Sequence, residues 1–253
     1  MELVLFALWC FAVAAAGGLV GLVLGNLRLP ATLLAASSAA GGAGANLAIS
    51  AIAAATAAAV HVRAGRVNWR LFAWMAPPSI LGAVAGGLLG GAMPDRALLL
   101  FISAVLLYSA RELFTWRPRR PPAADGAPER GEDLDLRAAV LTGAGIGLLG
   151  GIVGLILGSL RMPALLRWVR ETPQRAVGTN VALGLVVGVA GALAHIPSAP
   201  PDLDLVLAGG AASIPGALVG SRLTGRLSEI QLVRAIGVVL VLSAAGCAAQ
   251  AIT

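Results

Sequence analysis

Eight long stretches of this chain carry no Asp, Glu, Lys or Arg. They are Leu3–Leu27, Leu29–Val62, Leu71–Pro94, Ala97–Ala110, Ala138–Leu160, Ala176–Pro201, Leu205–Ser221 and Ala235–Thr253. A helix that crosses the hydrocarbon of a bilayer needs about 20 predominantly apolar residues, and most of these stretches reach that length. Only 12% of the 253 residues are charged and 58% are hydrophobic, against about 25% charged in an ordinary soluble chain. A soluble domain could not cover its core with so few charges, and a disordered chain would be far less apolar. Backbone polar groups find no water in lipid, so the spans must be helices or a closed barrel. Runs this continuous lack the alternation of barrel strands, which leaves an all-α integral membrane protein.

The net charge of +6 does not point to nucleic acid, because the eighteen Arg residues fall in short loops between apolar runs. Cys10 and Cys247 both lie in apolar segments, with no metal-ligand spacing and no disulfide framework. The N-terminus has no basic n-region, and its apolar run leads into a motif that recurs later, so it reads as mature sequence rather than a signal peptide. No cofactor is expected.

Comparison of the chain with itself reveals a duplication. Gly17–Leu33 and Gly150–Leu166 are identical at twelve of seventeen positions, at an offset of 133. From there the offset is 134: Gly44-Ala45-Asn46 meets Gly178-Thr179-Asn180, His61 meets His195, and Ser79–Ala83 meets Ser213–Ala217. The chain divides into an N-terminal repeat, 1–116, a charged linker, 117–137, and a C-terminal repeat, 138–253. The linker holds five Arg, five Asp or Glu, four Pro and two Gly, too polar to fold alone.

Arg placement bears on topology. Four plain crossings per copy would split the Arg residues nine to nine across the membrane, with no orientation signal. If the Gly-rich first segment of each copy enters and returns, each copy makes three crossings and the split becomes sixteen to two, a strong positive-inside bias. The expected fold is therefore two inverted-topology repeats, each with a broken or re-entrant Gly-rich first element followed by three transmembrane helices. The linker is then cytoplasmic and the protein multi-pass in the inner (plasma) membrane. Gly17, Gly18, Gly21, Gly25 and Pro30 recur as Gly150, Gly151, Gly154, Gly158 and Pro163, and both residue types weaken helices. Small residues at this spacing also suit close helix packing.

The glycines before a Pro, then Gly178-Thr179-Asn180, a helix ending near His, and Gly65-Arg66-Val67-Asn68-Trp69-Arg70 together resemble the TauE/SafE sulfite exporter family, over nearly the whole chain and twice. In one respect the chain departs from many members. Where they carry three consecutive glycines before the Pro, it reads Val23-Leu24-Gly25 and Ile156-Leu157-Gly158, with Arg28 and Arg161 two residues before the Pro. The resemblance implies secondary transport of a small sulfur-containing anion of the sulfite, sulfonate or sulfoacetate type.

The residues agree with an anion carrier. Inverted-repeat transporters bind near the midplane, where half-helix N-termini face anionic groups. Asn46 and Asn180 are expected where a helix starts after the broken element, with the Thr179 hydroxyl beside them. Arg28 and Arg161 can grip an oxyanion through two parallel hydrogen bonds; alternatively they snorkel to head groups, or one binds and the other anchors, since the copies have diverged. Asn26 and Ser159, two residues before each Arg, join the candidate binding set. His61 and His195 are candidates to carry a coupling proton, or are helix C-terminal residues favoured by the dipole. No Asp or Glu lies inside an apolar run. The expected partners are a small anionic substrate, membrane lipid, a coupling proton or sodium ion, and a second copy through Gly/Ala-rich faces. There is no His-Glu-x-x-His, Gly-x-Ser-x-Gly or Walker loop, so no enzyme activity is expected; an anion channel on the same repeat is the alternative. Reporters placed in the linker and at the C-terminus should label from opposite sides of the membrane. Labelling of both from one side would refute the three-crossing repeat.

Overall fold

The computed structural model describes residues 2–37, 39–88, 95–115, 135–153, 158–195 and 201–252. Among them are ten helices. The first copy supplies α1 (Glu2–Val20), α2 (Gly25–Ala35), α3 (Ala39–Arg63), α4 (Trp69–Leu88) and α5 (Asp95–Phe114). The second supplies α6 (Leu136–Val153), α7 (Gly158–Arg167), α8 (Pro173–His195), α9 (Leu203–Thr224) and α10 (Glu229–Ile252). Trp116 and the linker up to residue 134 lie outside the described residues.

Among the described residues, four segments are long and apolar enough to cross a membrane: Leu3–Val20, Gly44–Arg63, Leu203–Thr224 and Glu229–Ala249. Their outer faces carry bare apolar side chains, such as Leu207 at 70% exposure, and other helices do likewise, with Leu81 at 71% and Leu141 at 73%. Apolar area this widespread is costly in water and suits lipid, so the chain is an integral membrane protein.

Local chemistry sets the helix ends. At the end of α3, Arg66 N–H donates to the His61 carbonyl and Gly65 N–H to that of Val62. This is a Schellman cap, with Gly65 left-handed at φ +65. Asn68 caps α4 by accepting the Leu71 N–H, at 3.1 Å. Ser228 and Gln231 form a reciprocal capping box at the start of α10.

Glycine, rather than proline, ends α1. Gly21 has φ +71, and a Cβ there would lie 2.6 Å from the Val177 Cα. Residues 22–24 are non-helical before α2 begins. Pro30 and Pro163 were expected to take part in the break but lie inside α2 and α7, past the first turn.

Residue pairs along the helix contacts give their directions. Gly209, Gly216, Gly220 and Thr224 of α9 lie against Phe6, Phe11, Ala15 and Leu19 of α1, so the two helices are parallel. Met75 and Ser79 of α4 meet Gly143 and Gly147 of α6, also in parallel. The Asp202 N–H donates to Gly41, and Gly209 packs on Ile49, so α3 is parallel to α9 as well. By contrast, α5 and α10 are antiparallel, with Ser103 bonded to Ala244 and Phe114 against Gly237. Since α1 and α3 are parallel, the chain between them must double back. Residues 22–35 are that return limb, and Ala35–Ser37 line a cleft with Leu3 and Asp202.

The α1–α9 and α4–α6 contacts are one contact made twice. A Cβ on Gly216 would overlap the Phe11 carbonyl, and a Cβ on Gly82 that of Ala144; each position matches its counterpart in the sequence repeat. Between helices in lipid, van der Waals packing takes over from the hydrophobic effect, so this approach carries much of the association. Gly216→Ala should destabilise the protein by about 1–3 kcal/mol in reversible denaturation in detergent micelles. Gly145→Ala, at a site with nothing within 4 Å, should be neutral or stabilising.

Candidate functional site

Two arginines are buried at matching places on the second helix of each copy. Arg28 is the fourth residue of α2 and 2% exposed; Arg161 is the fourth residue of α7 and 1% exposed. Each is bonded to the asparagine of its own copy. Arg28 Nε donates to Asn46 Oδ1 at 3.0 Å, and its Nη2 donates to the Asn46 carbonyl at 3.1 Å and to Ser50 Oγ at 2.5 Å. Arg161 Nη1 donates to Asn180 Oδ1 at 3.4 Å. The arginines match at the repeat offset of 133 and the asparagines at 134, so the two copies build one motif twice.

Asn180 also joins the copies. Its Nδ2 donates to the carbonyls of Gly21, at 2.7 Å, and Gly158, at 3.0 Å. One amide thereby holds the first residue after α1 and the first residue of α7. Without it, the buried Gly21 carbonyl would be unpaired, whereas the Gly158 carbonyl, at a helix start, keeps its place in the α7 ladder.

Neither guanidinium has a carboxylate. The one ion pair among the described residues is Arg167–Glu112, at 2.9 Å, and both partners are partly exposed. Burying an ion costs several kcal/mol unless it is compensated, and neutral amide and hydroxyl oxygens offset only part of that. Two buried cations held only by neutral oxygens among the described residues leave positive charge that an anion is chemically suited to balance. A cavity of about 20 Å³ lies against Arg28, Ser50, Gly17, Gly18 and Val181, room for about one water molecule. Among the described residues, no three of His, Cys, Asp and Glu gather as a metal site would need.

The family model for the sulfite exporter TauE/SafE matches residues 6–246. The chain belongs to that family. It is a family of membrane transporters rather than enzymes, and it points to movement of sulfur anions. No curated protein and no solved structure matches the chain. The Arg–Asn motif thus sits in a TauE/SafE protein whose two copies each contribute one.

The other sequence candidates are spread more widely. Asn46 and Asn180 were expected where helices start, but each is the eighth residue of its helix, α3 or α8. They act through their side chains, since the free N–H groups of a helix belong to its first turn. Thr179 Oγ1 accepts the Asn68 N–H at 2.9 Å, facing the start of α4 and not Arg161. Asn26 donates to Cys247 Sγ at 3.9 Å, towards α10, and Ser159 is buried in α7. His61 is fully buried, with Nε2 3.2 Å from the Gly18 carbonyl and Nδ1 without a partner. His195 ends α8, but its side chain lies outside the described residues.

Three residues of the site region had no role assigned from the sequence, Asn68 among them although it lies in the Gly65–Arg70 motif. Ser50 lies one turn beyond Asn46 on the same helix face. Asn68 Nδ2 donates to Glu171 Oε2 at 2.5 Å. Glu171, only 6% exposed, sits between α7 and α8. Asn180→Ala should cost about 1–3 kcal/mol for the orphaned Gly21 carbonyl, and Thr179→Ser, which keeps the hydroxyl, far less. Denaturation midpoints in detergent measure the difference; equal midpoints would show that the amide does not hold the breaks.

Proposed function

We propose that this TauE/SafE protein is a secondary transporter of the inner membrane that moves a small sulfur-containing anion of the sulfite, sulfonate or sulfoacetate type by alternating access. The observation that carries the reading is the pair of buried guanidiniums, one on the second helix of each copy, that have no carboxylate partner among the described residues. Arg28, Arg161, Asn46 and Asn180 form the binding region, with Asn26, Ser159 and Thr179 around it. Coupling to a proton or sodium ion supplies the driving force; His61 and His195 are the candidates for a proton.

The two copies are inverted in this reading, with the linker cytoplasmic and both termini outside. Helix directions support it. α1, α3 and α9 are parallel, and the short turn at 64–68 sends α4, and α6 beside it, back the other way. First elements α1 and α6 then oppose each other, as fourth elements α4 and α9 do. The antiparallel pair α5 and α10 completes the pattern. In an inverted repeat, the same motif faces the midplane from both sides. A cavity with room for about one water must widen to admit an oxyanion, and the non-helical residues 22–24 are where the chain can bend.

Purified protein in proteoliposomes should take up sulfite saturably and in response to an imposed proton or sodium gradient. The double variant Arg28→Gln/Arg161→Gln should lose at least about tenfold of that flux, the scale of one charge-assisted hydrogen bond. Single-channel currents from the wild-type protein, or full flux in the double variant, would overturn the carrier.

A further inference from the structure

Arg28 and Arg161 occupy matching positions, yet their surroundings differ in one residue. Arg28 has three acceptors: Asn46 Oδ1, the Asn46 carbonyl and Ser50 Oγ. Among the described residues, Arg161 has a single long hydrogen bond, to Asn180 Oδ1, and its Nε is buried without a partner. The sequence supplies a cause. Ser50 lies four residues beyond Asn46, whereas the position four beyond Asn180 is Gly184, which has no side chain to offer.

We propose that Arg161, not Arg28, is the guanidinium that holds the anion, and that the Ser50/Gly184 difference assigns the roles. The inference rests on the transport reading above. A guanidinium has five donors in a planar fork. Those on Arg28 Nε and Nη2 already point at protein oxygens, and an oxyanion there would have to displace Asn46 and Ser50 first. Arg161 keeps an unused Nε–H, and Nη2 on the same edge of the fork makes no hydrogen bond to a described residue; its one bond leaves from Nη1, on the other edge. Two such neighbouring donors match two oxygens of one sulfite or sulfonate group. Arg28 becomes a positioning residue that ties α2 to α3, and only Arg161 presents its charge to the substrate.

Gly184 makes the assignment testable without touching either arginine. A Cβ there would meet one neighbouring atom, Val23 Cγ2, at 2.9 Å, the end of a side chain that can turn. Ala and Ser bring the same Cβ, and only Ser adds an acceptor matching Ser50. Sulfite, methanesulfonate and sulfate binding to the full chain in detergent or nanodiscs, by calorimetry or thermal shift, reads the outcome. Gly184→Ser should weaken binding at least about tenfold relative to Gly184→Ala, because a charge-assisted hydrogen bond is lost to the protein. Arg161→Gln should lose binding. Equal affinities for the two Gly184 variants, or binding kept in Arg161→Gln, would overturn the assignment. Wild-type protein that binds none of the three anions would overturn the transport reading itself.

Discussion

Burying a guanidinium without a carboxylate is the constraint around which the centre of this protein is built. The two arginines lie on separate short helices, one from each copy, and both are almost wholly withdrawn from solvent. A charge in that position calls for oxygen atoms on rigid backbone, and helices α3 and α8 supply them through Asn46 and Asn180. The broken first elements follow from the same need. A continuous helix from residue 2 to 35 could not double back to place Arg28 against α3. The break at Gly21 turns the chain, and α2 brings the arginine to its asparagine.

Breaking a helix inside an apolar protein frees backbone carbonyls; Asn180 takes up that of Gly21 and with the same amide also bonds the Gly158 carbonyl at the start of α7. That amide therefore does three things: it accepts from Arg161, pins the end of α1 and pins the start of α7. Asn46 has a lighter task, shared with Ser50 around Arg28. The duplicated motif is thus symmetric in sequence but not in bonding. Close glycine contacts on the outside, α1 on α9 and α4 on α6, bind each copy's first element to the other copy's fourth. Neither copy closes its own core, and the first elements are held by helices from the far half of the chain.

Much of this was legible in the sequence. Gaps between charges gave helices, and the repeat gave the correspondence of Arg28 with Arg161 and of Asn46 with Asn180. The location of the break was harder. Four glycines precede Pro30, and only Gly21 needs a left-handed φ and a close approach to Val177, which depends on a helix more than 150 residues away. The asparagines were placed at helix starts because the connector before Ala39 leaves little mark in so apolar a sequence; the polar Arg170-Glu171-Thr172 before Pro173 does mark the start of α8. Ser50 was missed for a different reason. A search for repeats rewards identity, and the informative position here is a difference, serine in one copy and glycine in the other.

A second correspondence became visible only in three dimensions. Asn68 and Asp202 match at the offset of 134, as do Ser37 and Glu171. Asn68 bonds Glu171, and Asp202 accepts from the Ser37 N–H and hydroxyl at 3.3 and 3.1 Å. In each case the start of a copy's fourth element is bonded to the chain between the second and third elements of the other copy. The carboxylate changes sides: it belongs to the connector in one pair and to the helix start in the other. The Ser37 backbone N–H and hydroxyl, with help from the N–H groups of Leu205 and Asp204, hold Asp202 below the usual carboxylate range. That bond is exposed and screened by solvent, whereas the Asn68–Glu171 bond is buried and loses little to water. One junction between the copies is therefore held more firmly than the other, and the weaker one borders the cleft beside Leu3. A duplicated chain begins with equal halves. Here the exchange of a serine for a carboxylate at one junction, and of a serine for a glycine beside the arginine, leaves the two halves with the same framework and different strengths.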